Sequence, residues 1–173
     1  MICEKTKLAL QNLFPAPVAE EVPAEDTGEE KDKKAPKQPR LNGLLECDYA
    51  VHGYHLDAQV APDQLLNAVT ILDESEFFLE SITGVDWIKD NQLEVVYDFC
   101  RYDFDLCRVV IRTRVDREKP SVPTITGIFA GANWHERETH EFFGIKFAGH
   151  PHLVPLLLPE DADFHPLLKD FKA

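Results

Sequence analysis

The chain lacks the run of about twenty consecutive apolar residues that a bilayer span requires, and its start does not read as a secretory signal. Nowhere in its 173 residues is there a Gly-x-Gly-x-x-Gly turn after a strand, a Gly-Lys-Ser/Thr phosphate loop or a Gly-x-Ser-x-Gly elbow, so its motifs encode neither nucleotide binding nor a serine nucleophile. Cysteines are few and scattered at Cys3, Cys47, Cys100 and Cys107. Without close-set pairs they do not aim two thiolates at one zinc ion or iron–sulfur cluster, and they read as reduced, mostly buried thiols. Bases are scarce as well: 18 Lys and Arg against 31 Asp and Glu give a net charge of −13. Such a chain repels phosphate backbones and anionic lipid, which argues against nucleic-acid and membrane-surface binding. The expectation is a soluble, cytoplasmic protein. What is present, 44% hydrophobic and 28% charged residues, is ordinary globular usage, and the length suits one domain with an arm.

Residues 1–14 carry Leu8, Leu10, Leu13 and Phe14 and predict a short helix that needs a surface to dock on. Residues 15–40 hold five of the twelve prolines and no aromatic residue. Such a stretch cannot bury enough apolar surface to offset its ordering entropy, so it reads as a tether or as a strap that orders on a partner. From Leu41 onward eleven bases face twenty-three acids, so the acidity belongs to the folded part. Tyr54–Ala61 reads as a strand, and Leu65, Leu66, Val69 and Leu72 have helical spacing in a helix that starts at Pro62 and ends near Glu74. Phe77–Trp87, Gln92–Tyr102 and Leu106–Val115 read as successive antiparallel strands around a Lys89-Asp90-Asn91 turn. A second helix is expected from about Thr124 to Phe143, with Gly144 ending it. The fold class is α+β: a small, mostly antiparallel sheet with helices packed on one face, over residues 41–143. Residues 144–173, punctuated by Pro151, Pro155, Pro159 and Pro166 yet rich in leucine, predict an irregular extension that must pack on its own domain or on another subunit.

Two kinds of chemistry can be weighed on the residues themselves. His135-Glu136-Arg137-Glu138-Thr139-His140 resembles a zinc-protease helix, but its histidines are five apart and diverge by about 140° around a helix of 3.6 residues per turn. A free-standing metal-dependent hydrolase using His135, Glu136, His140 and His150 is therefore a remote alternative to a charged helix face. Cys100, between Asp98 and Arg101, and Cys107, after Asp103 and Asp105, sit among acids that oppose thiolate formation. No metal, cofactor or catalytic residue is expected in this chain, which leaves the charged helix and the apolar tail as an interaction surface.

The segment Trp134–Asp170 resembles a particular family: the 30 kDa subunits of respiratory complex I, with the related subunits of energy-converting membrane-bound nickel–iron hydrogenases. The resemblance rests on Glu136-Arg137-Glu138, Phe143-Gly144-Ile145, Gly149-His150-Pro151-His152-Leu153, Leu158-Pro159-Glu160-Asp161, and Pro166-Leu167 with Lys169-Asp170. It covers the last forty residues closely, the domain from Leu41 in layout, and residues 1–40 not at all. It implies a noncatalytic peripheral-arm subunit, held in the cytoplasm at the inner face of the cell membrane through its complex. Its partners would be a hydrogenase-like large subunit of 49 kDa type, a small iron–sulfur subunit, a ferredoxin-like subunit and, indirectly, the membrane arm. Iron–sulfur clusters, and nickel–iron in a hydrogenase, would lie on those subunits. The implied contact residues are Trp134, Glu136, Arg137, Glu138, Phe143, His150, Pro151, Leu153, Pro159, Glu160, Asp161, Lys169 and Asp170. Arg137 has two candidate roles: pairing with partner carboxylates, or anchoring the tail to its own domain. Leu168, Ala162, His165 and Pro155 depart from the family pattern, with two cations lost. That loss suggests a different partner surface and tilts the expectation toward an energy-converting hydrogenase over a quinone-reducing complex I.

Overall fold

The computed structural model describes residues 2–14, 41–102 and 106–172. The tether expected over residues 15–40, and the acids Asp103 and Asp105, lie outside them. In chain order the elements are α1 (Ile2–Gln11), β1 (Gly43–Glu46), α2 (Tyr49–His52), β2 (Leu56–Val60), α3 (Leu65–Glu74), β3 (Phe78–Trp87), β4 (Gln92–Arg101), β5 (Cys107–Asp116), β6 (Ser121–Pro123), α4 (Ala132–Phe143) and β7 (Lys146–Ala148). Five strands form one sheet in the order β1-β2-β5-β4-β3, and β6 and β7 form a separate parallel pair. The β3–β4–β5 meander is antiparallel, as the alternation of Val109, Ile111 and Thr113 with arginines predicts. Strand β2 joins β5 in parallel, which needs the crossover that α3 and the meander provide.

The pairing registers separate the two faces of the sheet. Leu56, Ala58 and Val60 share one face with Val109, Ile111 and Thr113, with Leu93, Val95, Tyr97 and Phe99, and with Ile82 and Gly84. Most of these residues form one buried core with Leu65, Ala68, Val69 and Leu72 of α3 and Leu10 of α1. Each fully buried Leu contributes about 1.5–3 kcal/mol, which is why a ten-residue α1 holds its place. On the other face the charges pair among themselves. Glu94, buried, receives Arg114 Nε at 2.9 Å and Trp87 Nε1 at 3.1 Å. Arg112 Nε donates to Asp57 at 3.1 Å, and the Arg114 guanidinium lies 4.4 Å from the centre of the Trp87 ring.

Two expectations are corrected. Helix α4 begins at Ala132 and not Thr124, because residues 124–131 fold into turns that the Glu136 carboxylate holds by the Ile125 N–H. The helix at Pro62 begins at Leu65 after a turn in which the Gln64 N–H bonds Ala61 O. Strand β1 and the one-turn α2 were not anticipated; both are too short to show a period. Asp48 caps α2 through the Ala50 N–H, and Gly53 closes it at φ 77°. Gly144 ends α4 as expected, in the left-handed conformation (φ 75°) with its N–H on His140 O.

Helix α4 reaches the sheet at Gly84, where a Cβ would overlap the Phe143 ring. Gly84→Ala is expected to cost about 1–3 kcal/mol through overpacking, read as a lower denaturant midpoint. An unchanged midpoint would mean that α4 docks without this contact.

Candidate functional site: helix α4 and the C-terminal tail

Helix α4 is written for two neighbours at once. Its inner side carries Thr139, Phe143 and Glu136 toward the sheet and the 124–131 turns. One helical turn apart, Arg137 and Glu141 face the tail. The Arg137 Nε and Nη2 donate to Val154 O and Pro155 O, each at 2.9 Å. The Glu141 carboxylate accepts three successive backbone N–H groups, from Leu156 at 2.7 Å and from Leu157 and Leu158 at 3.0 Å. Burial pushes the Glu141 carboxyl up, but the amides of Leu158, Leu157 and Leu156 and the Arg137 charge outweigh it and hold it below the usual carboxylate value. An Arg–Glu pair at i, i+4 would ordinarily be a solvent-exposed ion pair worth a few tenths of a kcal/mol. Here each partner binds main chain instead, so the tail is held whatever its side chains are.

Further along, His165 Nδ1 lies 2.8 Å from Glu141 O and its ring packs on Gly144. The buried Asp86 at the end of β3 closes the last turn of the tail. Its carboxylate takes Arg117 through two nitrogens at 3.1 and 3.2 Å and the Lys169 N–H at 2.9 Å. Arg117 also pairs with Asp170 at 2.5 Å. With the main chain satisfied in this way, apolar side chains are left facing outward: Trp134 is 61% exposed, Leu157 66% and Leu167 52%, with Val154, Phe164 and Phe171 also exposed. The Arg137 guanidinium stacks 5.5 Å from the centre of the Trp134 ring, and Phe164 and Phe171 stack at 5.6 Å.

The expected contact residues therefore divide. Pro151, Pro159, Glu160, Asp161 and Asp170 are exposed, while Trp134, also exposed, sits at the start of α4 and Arg137, Glu138 and Lys169 lie along the helix and tail. Glu136 and the His150 ring are buried, Phe143 packs on the sheet and Leu153 packs against the core. Within the chain, Arg137 binds the tail of its own domain. Glu141, Asp86 and Arg117 were not singled out from the sequence, since their partners are main-chain groups or residues far along the chain. The histidines do not converge: His140 Nδ1 is 2.9 Å from Ile145 O, His150 Nε2 is 3.3 Å from Asn133 O, and both Glu136 oxygens accept from the 124–125 segment. Among the described residues no group of three or more His, Cys, Asp or Glu side chains is placed to hold an ion. Nor is any helix among them long and apolar enough to cross a membrane.

Fold and site define a class: a small α+β domain whose C-terminal tail is stapled by the backbone of residues 154–158 along one helix, with exposed apolar side chains beside it. Residues 58–173 match the family described as the respiratory-chain NADH dehydrogenase 30 kDa subunit, and the chain belongs to that family. It is 42% identical over 120 residues to the C subunit of NADH-quinone oxidoreductase from Roseiflexus sp. (strain RS-1), covering 66% of this chain and 68% of that one. It is 39% identical over 93 residues to the C subunit of F(420)H(2) dehydrogenase from Methanosarcina mazei, covering 53% and 58%. Among solved structures it resembles a chain of the membrane-bound sulfane sulfur reductase, an archaeal respiratory membrane complex (TM-score 0.61, 30% identity, 68% and 71% covered). It also resembles a trypsin-resistant fragment of Nqo5 (TM-score 0.55, 28% identity, 65% and 89% covered).

These likenesses correct the tilt toward a hydrogenase: relatives such as the Roseiflexus protein, from NADH-quinone oxidoreductase, support the quinone-reducing alternative better. The departures that caused the tilt have uses inside the chain. Leu168 packs against the core, His165 binds Glu141 O, and Pro155 offers only its carbonyl, which any residue supplies.

Arg137→Ala is expected to lose two charge-assisted hydrogen bonds, about 1–3 kcal/mol, with faster amide exchange at residues 154 and 156–158; unchanged exchange there would refute the staple. Glu141 contributes stability that is present above the ordinary carboxylate pKa and is lost as pH falls through its depressed native value. Glu141→Gln should therefore flatten the acid limb of the stability profile.

Proposed function

We propose that this chain is the 30 kDa-type component of a complex I-like, quinone-reducing oxidoreductase. In this reading it contributes no redox centre and packs on the hydrogenase-like large subunit through Trp134, Leu157, Leu167 and the exposed tail around them. The observation that carries the reading is the staple. Arg137 and Glu141 take the main-chain groups of residues 154–158, so Val154 and Leu157 are held outward at a conformational-entropy cost already met before binding. Exposed apolar side chains in this number, on a chain of net charge −13, fit a protein partner better than lipid or nucleic acid. The small iron–sulfur and ferredoxin-like subunits are further neighbours in this reading, and the membrane arm is reached through them, with the chain at the inner face of the membrane. A second reading, a related respiratory complex with a different electron acceptor, is favoured by the likeness to the sulfane sulfur reductase. An energy-converting hydrogenase would be one such complex.

The test is affinity capture of the tagged chain from its native host in mild detergent, with mass spectrometry of what comes with it. The expected result is a hydrogenase-like large subunit together with iron–sulfur and membrane proteins. Nickel-ligating cysteines missing from that large subunit would support quinone reduction; their presence would favour the hydrogenase. Leu157→Glu is expected to reduce recovery of the large subunit at least tenfold, about 1.4 kcal/mol, without lowering stability. Recovery of the chain alone as a well-behaved monomer would sink the assembly reading.

A further inference from the structure

Beneath the start of α4 lies a polar cluster that the docking surface does not use. Glu136 is fully buried. Its Oε1 accepts the Ile125 N–H at 2.8 Å, and its Oε2 accepts the Thr124 hydroxyl at 2.5 Å. The His150 Nε2 is 4.0 Å from Oε2, but that ring is not a counter-ion. His150 Nδ1 accepts the His152 N–H at 3.0 Å, so the ring proton sits on Nε2 and is donated to Asn133 O. A second ring proton would point Nδ1–H at the His152 N–H, and burial already lowers the His150 pKa. The other groups around the carboxyl supply no cation in contact. Tyr97 of β4 presents a buried hydroxyl with no hydrogen-bond partner among the described residues. On α4 itself, His140 is engaged by Ile145 O and Arg137 is turned to the tail. Helix α3 offers only Leu66 and Thr70 to the groove above. A buried carboxylate with two donors and no cation is costly to keep charged, and its neutral form is not.

The Thr124 hydroxyl leads outward. It gives its proton to Glu136, so at the 2.9 Å contact with Thr126 Oγ1 the donor is Thr126; it also accepts the Thr126 N–H at 3.2 Å. Both threonines line the groove of about 750 Å³ between α3 and the 124–131 turns, with Asn133 and Pro151 on its rim. We propose that Glu136 is a proton-binding site, connected to the groove by the hydroxyls of Thr124 and Thr126, that takes up and returns one proton without opening of the fold. On uptake, a hydronium ion in the groove passes a proton to Thr126 and is left as water, Thr126 passes one to Thr124, and Thr124 passes one to Oε2, so each hydroxyl ends with one proton, as it began. Each hydrogen bond of the chain is then reversed, the acid donating to Thr124 and Thr124 to Thr126, so the same hydroxyls return the proton outward. Burial pushes the Glu136 carboxyl from its ordinary value of 4.5 to about 7, against the opposing pull of Thr124 and Ile125. Tyr97 is pushed well up by burial and by the Glu136 charge.

The experiment is an infrared titration of the full chain and of Glu136→Gln. One carboxylic-acid carbonyl stretch should disappear as pH rises through neutrality in the wild type and be missing in the variant. Between about pH 4.5 and 7 the native chain holds a proton that the unfolded chain has released. The wild-type unfolding constant should therefore rise about tenfold per pH unit relative to Glu136→Gln across that window, and the two should run parallel above it. Disappearance of the band near pH 4.5, or its survival in Glu136→Gln, would overturn the proposal. If the variant does not fold, carboxyl-carbon NMR of the wild type decides: one glutamate titrating near neutrality supports the site, and none doing so overturns it. Thr126→Val should keep the midpoint but slow proton exchange at the carboxyl; unchanged exchange would overturn the relay.

Discussion

Everything that makes the tail a surface depends on one carboxylate. Glu141 takes three consecutive main-chain amides, so residues 156–158 have a fixed course without helix or strand hydrogen bonds. A proline-punctuated segment cannot satisfy its own amides regularly, and unsatisfied amides would have to face water. With Glu141 below and Arg137 on the carbonyls of Val154 and Pro155, the main-chain groups turn inward and leave Val154 and Leu157 exposed, while Leu153 packs against the core.

The second face of the sheet carries Arg112 and Arg114 against Asp57 and Glu94, so their charges are neutralised locally. The polar groups around Glu136 form a different kind of cluster, with hydroxyls and amides in place of cations. Glu94 is met by two arginines, whereas Glu136 is met by no cation at contact distance among the described residues.

How much of this could be read from residue order follows from the range of the interactions. Strands β3 to β5 and helix α3 show their periods within ten residues, and the Gly144 stop is a local conformational requirement. The start of α4 was misplaced because Glu136 acts backward over eleven residues on the Ile125 amide, and residue type alone does not mark which amide a carboxylate will take. Strand β7 and its partner β6 are three residues each, too short to alternate visibly. Glu141 stayed unread because an acid that binds main chain has no complementary residue to reveal it, and Asp86 because its partners, Arg117 and the Lys169 amide, lie far along the chain. The motif residues of the tail were readable as a group, yet their division into buried supports and exposed contacts is set by three-dimensional packing, which residue order does not display.

The contact between Asp86 and the Lys169 amide spans 83 residues, and this sets an order of events. Closing so long a loop is entropically costly until the sheet has positioned Asp86, so the clasp is a late step that follows completion of β3, β4 and β5. The course of the tail's last turn is therefore tied to the completed sheet: what positions Lys169 is an acid that β3 presents only once it is paired.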